Sequence, residues 1–160
     1  MTDHDHGHDP VADELAIRSL TAAYTDALNR GDVADAMRTY AADAAFTMMD
    51  RPTVIGVDAI ADVLRATVER YELVVQLVHS GVVQLDGDRA RARWQITEYQ
   101  FRPDSTRRLV IGRYEDEHAR TADGWRFTAR AFTARYLGDV SLGDAVMPDA
   151  PVRFPLLPDA

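Results

Sequence analysis

No cysteine occurs in the 160 residues, so disulfides, thiolate metal sites and a cysteine nucleophile are excluded. No apolar run reaches the roughly 18 residues that a membrane span needs. The opening Met1-Thr2-Asp3-His4 lacks the basic and apolar regions of a secretory signal. Together these absences predict a cytoplasmic protein with no membrane partner. Positive charge is also scarce: 18 Lys+Arg stand against 26 Asp+Glu, for a formal net charge of −8. An acidic chain with no basic cluster repels phosphate backbones, which argues against nucleic acid as a partner. Glycine-rich phosphate loops and nucleophile elbows are missing. No histidine–carboxylate spacing has the form of a structural or catalytic metal site, so a metal-free pocket without cofactor is expected.

What is present is globular. A hydrophobic share of 46% with 28% charge argues against disorder. The length suits one domain, large enough to bury about two-thirds of the surface its unfolded chain exposes.

Residues 1–10 alternate His with Asp and Gly as far as Pro10 and read as a tail. His4, His6 and His8 could bind a transition metal there, but a solvated tail is the simpler reading. Over residues 11–30, Ile17, Leu20, Tyr24, Ala27 and Leu28 recur at helical spacing on one face. Gly31 stops that helix and Asp32 caps a second, with Val33, Ala36, Met37 and Tyr40 inside. Residues 43–49 read as a short strand. A third helix follows, with Asp58 at its N-cap and Ile60, Val63, Leu64, Thr67 and Val68 buried. Four strands are then predicted at residues 73–85, 89–101, 107–120 and 125–136. Asp86-Gly87-Asp88 and Asp123-Gly124 supply hairpin turns.

Helices followed by sequential antiparallel strands specify an α+β fold, a cone in which N-terminal helices pack in a strongly curved, mainly antiparallel sheet. Arg89, Arg91 and Arg93 alternate with Ala90, Ala92, Trp94 and Ile96, so the second set faces the helices. Gly81 and Gly112 are candidate bulges where the sheet bends. The domain is expected over residues 11–136, between the tail and an extension at 137–160. In the extension Pro148, Pro151, Pro155 and Pro158 forbid regular structure, while Phe154, Leu156 and Leu157 are too apolar for a free tail. It is expected to lie on its own domain, over the cavity mouth or across a partner subunit.

The order of these pieces resembles the SnoaL-like branch of the nuclear transport factor 2-like superfamily. The matching text is Ala16-Ile17 through Tyr24, Asn29-Arg30-Gly31-Asp32, Gly56-Val57-Asp58-Ala59-Ile60 and Val78-His79. It continues through Leu85 to Ala90, Gly112-Arg113-Tyr114 and Asp123-Gly124-Trp125 with Arg130. Relatives with this fold include scytalone dehydratase, lindane dehydrochlorinase, polyketide cyclases and dioxygenase small subunits. That range makes the fold a poor guide to the reaction.

His79 shares strand parity with Leu73, Val75 and Leu77, which would aim its imidazole into the cone as a general base. The resemblance implies the same, since a histidine at this strand position removes the substrate proton in the dehydratase and the dehydrochlorinase. Their orienting aspartate falls at Asn29 here, a departure that puts the dyad in doubt, because an amide cannot compensate an imidazolium. Arg130 aligns with an arginine lining the dehydrochlorinase pocket; it shares parity with Phe132, and a sheet-face ion pair is an equal reading. Glu98 shares parity with Trp94 and is expected in the hollow or at its rim. Tyr114 could donate a hydrogen bond to a substrate carbonyl, and Tyr24 could orient a substrate or simply pack. His118, beside Glu115, Asp116 and Glu117, reads as part of an exposed charged edge.

These residues suggest cofactor-free acid–base chemistry, of dehydratase, isomerase or cyclase type, on a small apolar carbonyl or polyketide-like ligand. The alternatives are a ligand-binding protein without turnover, which Asn29 favours, and a dioxygenase small subunit. A homodimer or higher homo-oligomer is expected through the outer sheet face.

Overall fold

A computed structural model describes residues 9–141; the histidine-rich start and most of the proline-rich end lie outside the described residues. The first helix, α1 (Pro10–Asn29), begins where the Asp9 carboxylate accepts the backbone N–H groups of Val11 and Ala12 at 3.0 and 3.3 Å. Pro10 fits its first turn because the missing N–H there has no partner to lose. Its buried side carries Ile17, Thr21, Tyr24 and Ala27. Gly31, at φ 73, turns the chain out of the helix. Asp32 then caps α2 (Val33–Met37) by accepting the Asp35 N–H.

Next come β1 (Tyr40–Met48), a two-residue β2 (Val54–Ile55) that the sequence pattern does not reveal, and α3 (Val57–Val68). The N-cap of α3 is Gly56, not Asp58, which sits inside the first turn. Gly56 holds φ 93 and donates its N–H to Ala44 O at 2.8 Å. A glycine backbone reaches that conformation without strain, so the helix starts ahead of the acidic side chain.

Four long strands follow: β3 (Leu73–Asp86), β4 (Arg89–Phe101), β5 (Arg107–Thr121) and β6 (Gly124–Asp139). The sheet order is β2-β1-β6-β5-β4-β3, with antiparallel pairs throughout except β1 against β6, which is parallel. The fold is therefore α+β, helices first, with a mixed six-stranded sheet curved around them.

The curvature has visible causes. Register breaks fall at Val78/Gly81, Ile111/Gly112 and Glu117/His118, each a bulge that bends its strand. At Gly81 an added Cβ would lie 2.2 Å from the Trp94 ring, and at Gly112 it would lie 2.5 Å from Thr133 O. Only glycine fits at either corner. On β4 the expected parity holds: Ala90, Ala92, Trp94 and Ile96 are buried and the three arginines are exposed.

The helix α1 lies against β3, the strand at the sheet's edge. Arg18 donates from Nη2 to Gly81 O at 3.1 Å. The Asn29 amide makes two bonds to one residue, Nδ2 to Gln76 O at 2.9 Å and Oδ1 from Gln76 N at 2.8 Å.

Candidate active site

Between α1, α3 and the sheet lies a cavity of about 210 Å³. Its floor is two rows of side chains running across neighbouring strands. Gln76, Glu98, Val110 and Leu137 form one row, and Val74, Gln100 and Arg108 the next. Phe46, Met48, Leu64, Val68 and Phe132 make apolar walls.

Against those walls stands one polar cluster. The Gln76 Nε2 group donates to Glu98 Oε2 and to the Tyr114 hydroxyl oxygen, both at 2.9 Å. Gln100 Nε2 donates to Glu98 Oε1 at 2.6 Å. Glu98 is thus held by an amide on each carboxylate oxygen. Tyr114 accepts from Gln76 and keeps its own proton for another acceptor. Burial, followed by the neighbouring Tyr24 ring, pushes the Tyr114 phenol well above its ordinary value. Burial raises Tyr24 as well. Both phenols therefore stay neutral at physiological pH. Oε1 of Gln76 and Oε1 of Gln100 are buried without a protein partner. A bound molecule with a donor would relieve that cost.

Of the residues that the sequence singled out, Tyr24, Glu98, Tyr114 and Phe132 line this cavity. His79 does not. Its ring is on the exposed outer face, with Nε2 2.9 Å from Thr97 Oγ1. The parity assumption fails because β3 carries apolar side chains on both faces, and the set of Leu73, Val75 and Leu77 to which His79 belongs is the outward one. Val74, Gln76 and Val78 point inward before the bulge, and Gly81, Val83 and Leu85 after it. Trp94 faces inward as expected but packs on Gly81, with the Arg18 guanidinium 5.4 Å from its ring centre, away from the cavity lining. Asn29 is spent on the Gln76 backbone, so it cannot also orient an imidazole.

Arg130 has an acid partner. Its Nε and Nη2 donate to the two oxygens of Asp116 at 2.8 and 2.7 Å, and both side chains are fully buried. Its guanidinium carbon also lies 4.0–4.3 Å from the ring centres of Phe127, Tyr114 and Tyr24. Burial alone would lower its pKa, but the Asp116 charge more than offsets this and holds it well above the usual arginine value. This is a fixed internal cation beneath the cavity, with its Nη1 buried and without a hydrogen-bond partner.

His118 also departs from expectation. It is 2% exposed and stacks on Phe127 at 4.9 Å, because unbroken alternation along β5 turns His118 inward with Val110, Gly112, Tyr114 and Asp116. Burial pushes its pKa down to about 4, with the Asp116 charge opposing.

Gln76 and Gln100 escaped the sequence reading. The available signal was Gln76 itself, one amide inside the apolar run Leu73-Val74-Val75-Gln76-Leu77-Val78.

Helices enclosed by a curved mixed sheet around an interior cavity define the cone-shaped α+β fold class. Within it the chain belongs to the SnoaL-like domain family, whose model matches residues 9–131. The fold is shared by hexachlorocyclohexane dehydrochlorinase LinA-type3 from Novosphingobium barchaimii. That structure is 16% identical with a TM-score of 0.80, over 88% of this chain and 98% of that one. A candidate scytalone dehydratase from Novosphingobium aromaticivorans is 13% identical with a TM-score of 0.76, over 88% and 96%. A candidate aromatic ring hydroxylase from the same organism is 23% identical with a TM-score of 0.77, over 83% and 96%. No curated protein matches the chain.

Proposed function

We propose that the protein is a cofactor-free acid–base enzyme acting on a small, largely apolar carbonyl compound held in the interior cavity. The observation that carries this reading is the Glu98–Gln76–Tyr114 cluster set into apolar walls. A carboxylate fixed by two amides is positioned to take a proton, and a neutral phenol beside it can donate to an oxygen that gains charge.

In the proposed step a C–H proton next to the carbonyl passes to a Glu98 oxygen. Its electron pair moves toward the carbonyl oxygen, which accepts the Tyr114 hydrogen bond. Glu98 then returns the proton to another carbon, which is an isomerisation, or to a departing hydroxyl, which leaves as water. The dehydratase and dehydrochlorinase names among the structural neighbours fit eliminations of this kind. The chain has no lysine among its 18 basic residues, so Schiff-base chemistry is unavailable to it. A binding protein without turnover is the second reading, and it is favoured by Asn29, whose amide is committed to the backbone.

The test is proton exchange at carbon. The full chain is incubated with 2-tetralone, a compact enolisable ketone, in deuterated water, and loss of the α-proton signal is followed by NMR. Wild type should exceed the buffer rate, and Glu98→Gln should lose about 10²–10⁴-fold of that acceleration. An E98Q protein that exchanges as fast as wild type would remove Glu98 from the mechanism.

A further inference from the structure

The cavity is electrostatically unlike the protein that contains it. The chain carries a net charge of −8, yet four arginines line the cavity: Arg51 after β1, Arg70 after α3, Arg102 after β4 and Arg108 on β5. Glu98 is the one acidic residue of the lining. Among the described residues none of these four arginines has a carboxylate within ion-pair distance. Asp139 is the cross-strand neighbour of Arg108 but does not reach it. Among the described residues most arginines outside the cavity, Arg18, Arg30, Arg65, Arg120 and Arg130 among them, pair with acids.

Arg102 is the most telling of the four. Its guanidinium stands 5.5 Å from the ring centre of Tyr71, and its Nε is buried with no hydrogen-bond partner. A buried, unpaired donor on a cation is costly unless something binds it. Arg51 and Arg70 are exposed while Arg102 and Arg108 are half-buried, so the positive groups run inward from solvent.

We propose that the ligand of this cavity is an amphipathic monoanion, an apolar body bearing a carboxylate that the four arginines receive. This deepens the acid–base reading of the same cavity by naming its substrate class. A cavity of about 210 Å³ is smaller than the ~300–1,000 Å³ of drug-sized sites, so the body is limited to one or two rings or a short chain. The carboxylate faces the arginines, and repulsion from Glu98 keeps it there. The opposite end of the ligand is thereby directed toward Glu98 and Tyr114. Positive lining on an acidic protein also focuses the field, so capture of the anion is faster than capture of a neutral isostere and falls with ionic strength.

The test compares 3-phenylpropanoate and 4-phenylbutanoate with 3-phenylpropanol and 4-phenylbutanol, by calorimetry on the full chain. The acids should bind at least tenfold more tightly at low salt, and the margin should shrink as salt rises. Arg102→Gln with Arg108→Gln should reduce the margin to about twofold while leaving the alcohols' affinity unchanged. Arg51→Gln with Arg70→Gln, at exposed positions, supplies a reduction that does not depend on half-buried sites. Arg65→Gln, on the outside of α3, should change nothing. Alcohols that bind as tightly, a preference that survives both double substitutions, or no binding of either acid would overturn the proposal. Glu98→Gln separates the two readings, because it should keep the acid preference while losing exchange. An acid preference without any exchange leaves the arginine assignment standing and removes the enzyme.

Discussion

Replacing His118 with phenylalanine should abolish a specific part of the protein's acid sensitivity. The imidazole is 2% exposed, lies on Phe127 and has no partner at hydrogen-bond geometry on either nitrogen. Burial holds its pKa near 4, against an ordinary 6.5. The sign follows from proton counting. Between pH 6.5 and 4 the unfolded chain binds a proton at this position that the folded chain refuses, so stability falls as the pH falls. A difference of 2.5 pH units at 1.36 kcal/mol each is a loss of about 3 kcal/mol across that window. Above pH 6.5 the contribution is complete, and below pH 4 nothing further is lost. Urea denaturation at pH 7.5 and 4.5, read by Trp94 and Trp125 fluorescence, measures it in wild type and His118→Phe. Carboxylate titration is common to both proteins, so it cancels in the difference between them. Phenylalanine should be about 2 kcal/mol less sensitive to this acidification. Equal losses in the two proteins, or an NMR titration placing His118 near 6.5, would refute the reasoning.

Asp116→Asn should leave the Arg130 guanidinium charged and uncompensated within its ring of aromatics, at a cost of about 3–5 kcal/mol in urea unfolding. A loss below 1 kcal/mol would show that water reaches the pair. Asn29→Asp should strand the Gln76 carbonyl and set a carboxylate against it, destabilising by about 1–3 kcal/mol; a stabilised variant would mean that the two-bond clip does not form. The outer sheet face mixes Arg91, Arg93, Gln95 and Thr97 with exposed Leu77, Val82 and Ile111. It is expected to pair two copies, and light scattering that shows a monomer at tens of micromolar would contradict this.

The fold was legible because most of its signals are local. The heptad-like run from Ile17 to Leu28, Asp32 ahead of α2, the Asp-Gly turns and the alternation of Arg89 through Ile96 each describe their own neighbourhood. Gly81 and Gly112 could be recognised as corners for the same reason. Facing was legible only where alternation was clean. On β4 arginines mark the outside, so Glu98 could be assigned inward. On β3 valine and leucine occupy both faces, and one extra residue at the bulge reverses the phase between Val78 and Gly81. Leu73, Val75 and Leu77 are apolar yet face outward, so counting inward from Leu73 sends His79 to the wrong side and hides Gln76. Long-range pairing was less legible still. Asp116 and Arg130 face each other across the β5–β6 hairpin, so an ion pair could be foreseen for Arg130 but its burial could not. The parallel contact of β1 with β6 likewise depends on the whole chain having folded.

The placement of α1 has a consequence for the open edge of the sheet. The strand β3 is an edge, 14 residues long and rich in valine and leucine, the kind of template on which a foreign strand can add. Asn29 occupies both backbone groups of Gln76, so its side-chain amide imitates a neighbouring strand at one residue. About three turns further back on the helix, Arg18 blocks the carbonyl of Gly81. The first helix thus works as a guard rail as well as a core element. Loosening it at either contact should leave that edge open to growth through added strands.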